Sequence, residues 1–171
     1  MIDLKRRISS LLALVIAAAA PSTAAAEKKY APGITDAEIK IGQTMPYSGP
    51  ASAWSAIGLA ELAYFKMIND RGGIGGRKIK LISLDDAFSA PKTLEQTRKL
   101  VEQDGVAFIY GTVGPGNLVI RKYLNDQRVP QVFVLAPVEY YNDPQHFPWT
   151  MGLLPTYYIE GRNPCAIHSC S

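Results

Sequence analysis

Cysteine is almost missing from this chain: two of 171 residues are Cys, Cys165 and Cys170, both among the last seven. A disulfide framework is thereby excluded, and the spacing around His168 matches no structural zinc pattern. A bond between the two cysteines would close so short a loop that it would stabilise little of the body. Histidine is equally scarce, with His146 and His168 alone, and neither has a nucleophile partner in a recognisable pattern. The long hydrophobic run, Ile8 to Ala20, has 13 residues, whereas a membrane-crossing helix takes about 20. An excess of one charge is missing too. The net charge is +3, yet beyond residue 26 there are 15 basic and 14 acidic side chains, which leaves no nucleic-acid footprint. No pattern calls for a metal or a cofactor.

What is present begins with an export signal. Lys5-Arg6-Arg7 precedes the apolar run, and Pro21 and Ala24-Ala25-Ala26 follow it. That order is the three-part layout of a secretory signal peptide over residues 1–26, with cleavage after Ala26 and a mature start at Glu27. The residues after Arg6-Arg7 fit twin-arginine export poorly, so the ordinary route is expected. No Cys near the cleavage site offers a lipid anchor. The remainder, in a chain 47% apolar and 19% charged, is ordinary for a globular protein.

From Ile34 onward, strand-like and helix-like segments alternate. Glu38 to Gln43 predicts a strand. The stretch from Trp54 to Asp70 has helical spacing, with Ile57, Ala60, Tyr64, Met67 and Ile68 on one face. Gly72 and Gly73 stop that helix. Lys78 to Asp85 predicts a second strand, Ser89 or Ala90 to Asp104 a helix with Pro91 in its first turn, and Val106 to Tyr110 a third strand. Asn117 is placed to cap a helix ending near Asp126, and Val132 to Leu135 predicts a fourth strand. This alternation predicts a doubly wound α/β fold, a parallel sheet with helices on both faces. Ligands of such sheets bind beyond the carboxyl ends of the strands. Four loops qualify: Thr44 to Trp54, Asp86 to Ser89, Gly111 to Gly116 and Ala136 to Asn142.

Several motifs reduce to turns. Gly72-Gly73-Ile74-Gly75-Gly76 follows a helix and precedes a strand, the reverse of a phosphate-cradling loop. Ser89-Ala90-Pro91-Lys92 has the S-x-x-K form of some acyl-enzymes without the supporting S-D-N and K-T-G elements, and a helix cap explains the serine. Asp85 and Asp86 point to opposite faces, so they suit turn hydrogen bonds rather than a shared proton. His146 lies in a surface loop. The absence of Gly-x-Ser-x-Gly disfavours a secreted α/β hydrolase. The loop after the first strand is richer: Tyr47, Ser48 and Trp54 offer aromatic faces and hydroxyls to a small ligand, beside a helix N-terminus that favours a carboxylate.

The runs Glu38 to Gly42, Ser48-Gly49-Pro50, Tyr64 to Ile74, Gly76 to Ile79, Asp85-Asp86, Pro91 to Lys99 and His146 to Thr150 occur in order. Together they resemble the leucine/isoleucine/valine-binding family of periplasmic proteins across roughly residues 34–162. The resemblance implies a type I periplasmic binding fold, in which two lobes close on an amino acid or related carboxylate and the loaded protein docks on the membrane permease of an ABC importer. A ligand-sensing receptor domain uses the same lobes. Carried over, Trp54 is where an aromatic ring packs on the ligand, and Gly114, Pro115 and Gly116 are where a backbone N–H and a hydroxyl hold the carboxylate. Pro137, Val138 and Glu139 are where a second such loop does the same. Pro115 has no N–H to donate, and Glu139 adds negative charge, so another small organic solute is open. On this reading residues 27–150 form the N-terminal ligand-binding lobe. Residues 151–171 hold the start of a crossover and an aberrant tail, as if the frame had shifted or ended early. A non-catalytic, truncated periplasmic binding module is the expectation.

Overall fold

The computed structural model describes residues 29–162, Pro115 excepted. The signal segment 1–26, the start at Glu27 and the tail that carries Cys165, His168 and Cys170 lie outside the described residues, as does Pro115.

Five parallel strands make one sheet in the order β2-β1-β3-β4-β5. Strand β1 (Glu38–Met45) lies between β2 (Lys78–Asp85) and β3 (Phe108–Tyr110), and it pairs with β2 from Glu38↔Lys78 to Met45↔Asp85. Its last five residues are all buried, as the central strand of a covered sheet requires. Strands β4 (Gln131–Val134) and β5 (Thr150–Gly152) complete the edge. Helix α1 (Ser55–Asp70) follows β1. Helix α2 (Ala90–Arg98), prolonged by a π-helical turn over Lys99–Gln103, follows β2, and α3 (Gly116–Gln127) follows β3. A short α4 (Tyr157–Gly161) comes after β5. This is the doubly wound α/β layout that the alternation predicts. The glycine run after α1 is a turn, closed by Ile74 N–H to the Arg77 carbonyl at 2.8 Å.

The core lies on one side of the sheet, where Leu100 of the π turn, Val106, Ile109, Ile120 and Leu124 are all buried against one another. Helix α1 covers the other side, and there the sequence-based face is corrected. Gly58 is buried and Ser55, Glu61, Phe65 and Ile68 are half-buried, whereas Ile57, Ala60, Tyr64 and Met67 are exposed. The cause is the sheet surface beneath: Gln43 and Ser83 line it, and Gln43 donates to the Glu61 carboxylate while Ser83 donates to Gln43 Oε1 at 2.8 Å. These polar groups meet the Gly58–Glu61 part of the stripe, and Phe65 further along meets Tyr110 of the sheet edge to face. Asn117 is corrected as well. It lies inside the first turn of α3 and is fully buried, with Nδ2 donating to the Thr112 carbonyl at 3.2 Å.

Beyond α1, the same side of the sheet stays open. A trough of about 340 Å³ runs across the sheet from Ile79 and Ile41 to Met151, lined also by Phe65, Phe108, Tyr110 and Phe133.

Candidate functional site

The strand order reverses between β1 and β3, because β1 is followed by its neighbour on one side and β2 by a strand beyond β1. Parallel strands put all their carboxyl ends at one edge, so the four loops chosen from sequence emerge together, around the position where doubly wound sheets hold ligands.

The loop after β1 is fixed by its own polar groups. The Tyr47 hydroxyl lies 2.7 Å from Ser83 Oγ, in the layer between α1 and the sheet. It sits beneath Gly58, where an added Cβ would stand 2.5 Å from that hydroxyl. Its position is structural, and glycine at 58 is what admits it. Ser48 is held by Asp85, which accepts from its N–H at 3.0 Å and its hydroxyl at 2.6 Å. Lys92 reaches the same carboxylate at 2.8 Å. Burial by itself would raise the pKa of Asp85, but Lys92, the Ser48 hydroxyl and the amides of Ala87 and Ser48 hold it well below the usual carboxylate range. Lys92, the last residue of the S-x-x-K sequence, thus serves as an anchor for the loop.

Trp54 ends the 3-10 turn Ser52–Trp54 and is 47% exposed. Its ring meets Phe88 edge to face, with centroids 5.5 Å apart and planes at 87°. Phe88 belongs to the loop after β2, where Ala87 and Phe88 both have positive φ, 51° and 60°. Such a backbone costs roughly 1–2 kcal/mol per residue for a side chain with a Cβ. The two aspartates offset that cost: Asp85 accepts from Ala87 N–H at 3.0 Å, and Asp86 accepts from Phe88 N–H at 2.9 Å. Asp86 is buried and also accepts from the Thr93 hydroxyl at 2.9 Å, which ties the loop to α2. Both carboxylates therefore make the turn hydrogen bonds expected of them.

The Phe88 ring lies against the loop after β3. Gly114 has φ 98°, and a Cβ there would collide with the ring. Its carbonyl accepts from Asn117 N–H at 3.3 Å. Gly116 opens α3 tight against Thr93. The loop after β4 is joined to this one by a parallel bridge between Val113 and Leu135, with Leu135 N–H donating to the Thr112 carbonyl at 3.0 Å. Pro137 accepts from Tyr157 N–H at 2.8 Å, and Val138 donates to the Ala136 carbonyl at 2.9 Å. Glu139 is exposed at the start of the 3-10 turn Glu139–Tyr141. Burial pushes the Tyr141 phenol up to about 12, with Arg121 opposing the rise.

The structure thus brings Trp54 and Gly114 together through Phe88, and it joins the Pro137–Glu139 loop to the Gly114 loop. It turns the hydroxyls of Tyr47 and Ser48 toward Ser83 and Asp85. Phe88 is the residue that sequence reasoning passed over. Its loop was among the four, but nothing in a lone Phe after Asp-Asp-Ala marks a left-handed backbone. His146 sits on the surface, its Nδ1 2.9 Å from Asp143. That hydrogen bond holds the Asp143 carboxyl below its ordinary value.

Residues 38–163 match the family described as periplasmic binding protein. A curated relative is the Leu/Ile/Val-binding protein homolog 7 of Brucella suis biovar 1, 33% identical over 137 residues, 78% of this chain and 30% of that protein. Among solved structures, a substrate-binding periplasmic protein from Ralstonia solanacearum superposes with a TM-score of 0.66 at 23% identity, over 75% of this chain and 37% of that one. The fatty acid ABC transporter substrate-binding protein from Thermomonospora curvata superposes with a TM-score of 0.53 at 25% identity, over 60% of this chain and 26% of that one. The chain spans about 30% of the length of the curated relative it matches.

Proposed function

The chain belongs to the periplasmic binding protein family, and we propose that its strand-end loops form one wall of a site that captures a small organic solute for an ABC importer. Proteins of this family bind solutes rather than catalyse reactions. A curated relative named for Leu/Ile/Val binding and a structural neighbour named as a fatty acid ABC transporter substrate-binding protein point to one solute class, a carboxylate with an apolar portion. Branched-chain amino acids are the leading members. The partner is the membrane permease of such an importer, and the setting is the periplasm, reached through the signal segment at 1–26.

The observation that carries this reading is the contact chain Trp54–Phe88–Gly114 at the reversal of strand order. It makes an apolar wall beside the first turn of a 12-residue helix, α3, whose N-terminal dipole favours a carboxylate. Exposed Glu139 at the rim works against a second carboxylate, so a solute with one acidic group fits better than a diacid.

The described residues supply one wall, and a one-sided site encloses too little of a ligand for tight binding. Titration of the 171-residue chain with L-leucine, followed by backbone amide chemical shifts, is expected to give half-saturation on the order of millimolar. Trp54→Ala should weaken this roughly fivefold, since an aromatic contact contributes about 1 kcal/mol. Trp149→Phe should leave it unchanged. Unaltered affinity in Trp54→Ala would contradict the assignment, and so would tight stoichiometric binding by residues 27–171 alone.

A further inference from the structure

We propose that Phe88 determines the specificity of the crevice: with Trp54 it forms an aromatic corner that selects solutes carrying a bulky apolar or aromatic group. The proposal rests on the reading that the crevice takes a small organic solute.

It starts from how the ring is held. Bulky residues rarely adopt a left-handed backbone, and here two consecutive residues do, at φ 51° and 60°. Such conformations persist where the surroundings over-determine them, and they cluster at ligand clamps. The surroundings here are explicit. Asp85 takes the Ala87 N–H, Asp86 takes the Phe88 N–H, and the Asp86 carbonyl takes the Ser89 N–H at 2.9 Å. Asp86 is 1% exposed and is bonded in turn to Thr93, so the loop cannot relax without breaking a buried carboxylate's contacts.

The position that this strain secures lies at the carboxyl ends of the strands rather than in the core. Phe88 is half-buried, outside the cluster of Leu100, Ile109 and Ile120, and its neighbours are Trp54 of one loop and Gly114 of another. Rings at 87° with centroids 5.5 Å apart meet edge to face, so their two planes form a corner against which an apolar group can pack. An apolar group seated there leaves water on two faces, whereas a solute of the same charge without a side group gains nothing from the corner.

The test follows the indole N–H signal of Trp54 in the full 171-residue chain, assigned with Trp149→Phe, during titration with L-phenylalanine, L-leucine and glycine. The first two should move it saturably, with half-saturation at least about tenfold below that of glycine. Phe88→Gly deletes the ring while suiting a left-handed backbone, so the loop keeps its shape. It should bring both values to within about twofold of glycine's, with the thermal midpoint retained. Phe88→Leu, which returns apolar bulk, should restore the preference for L-leucine. A wild-type preference ratio in Phe88→Gly would overturn the proposal, as would an equal loss for all three solutes, the mark of a merely structural ring. So would Phe88→Leu behaving like Phe88→Gly. If no solute moves Trp54 in the wild type, the crevice reading itself fails and takes the role of Phe88 with it.

Discussion

Asp85 gathers the Ser48 N–H and hydroxyl, the Ala87 N–H and the Lys92 ammonium on one carboxylate, so it ties the loops after β1 and β2 to the first turn of α2. Its pKa is lower in the folded chain than in the unfolded one. The stability it contributes is therefore complete above about pH 4, the unfolded value, and is lost as pH falls through the folded value. Comparing thermal midpoints of wild type and Asp85→Asn across pH should show a gap that is widest near neutrality and closes in strong acid. A gap independent of pH would refute the assignment. Gly58 makes a second prediction at this scale. Its absent Cβ would stand 2.5 Å from the Tyr47 hydroxyl and 2.9 Å from Met45 Cγ. Gly58→Ala should cost about 1–3 kcal/mol by urea denaturation, the range for overpacking. Tyr47→Phe should cost less in the Gly58→Ala background than alone, because the clash involves the hydroxyl.

The elements differ in how openly the sequence declares them. Strands β1 and β2 are legible because each is a long run of alternating or continuous apolar residues, and the turn after α1 because four glycines punctuate it. The orientation of α1 is not legible. Apolar residues lie on both of its faces, and the choice between them is made by Gln43 and Ser83 on the sheet below, which the helix's own spacing does not encode. Strand β5 passes unnoticed for a different reason: Thr150–Gly152 is three residues long, follows a loop rich in proline, and exists by pairing with β4. The site divides in the same way. Loop positions follow from strand order, whereas the strained backbone at Phe88 follows from hydrogen bonds to side chains of two neighbouring aspartates. Packing predicts a contrast between elements. Leu100→Ala, in the π turn and fully buried, should cost about 2–5 kcal/mol in denaturant melts, whereas Leu59→Ala on the open side of α1 should stay within about 0.5 kcal/mol.

At the scale of the molecule, the two sides of the sheet are unequal. One is closed by α2 and α3. The other carries α1 over β1 and β2 and leaves Phe133 and Met151 at 39% and 45% exposure beside the trough. Apolar surface of this extent promotes association. Light scattering of the chain should show mass rising with concentration, and Met151→Lys should reduce the rise without altering the solute response of Trp54. The functional account depends on the carboxyl ends of the strands, where four loops meet at the reversal of strand order. Mapping backbone amide shifts of the chain with saturating L-leucine tests it most directly. The account predicts shifts gathered at Trp54, at Ala87 and Phe88, from Val113 to Asn117 and around Val138. Shifts gathered at the trough or elsewhere, with Trp54 and Gly114 unmoved, would contradict it.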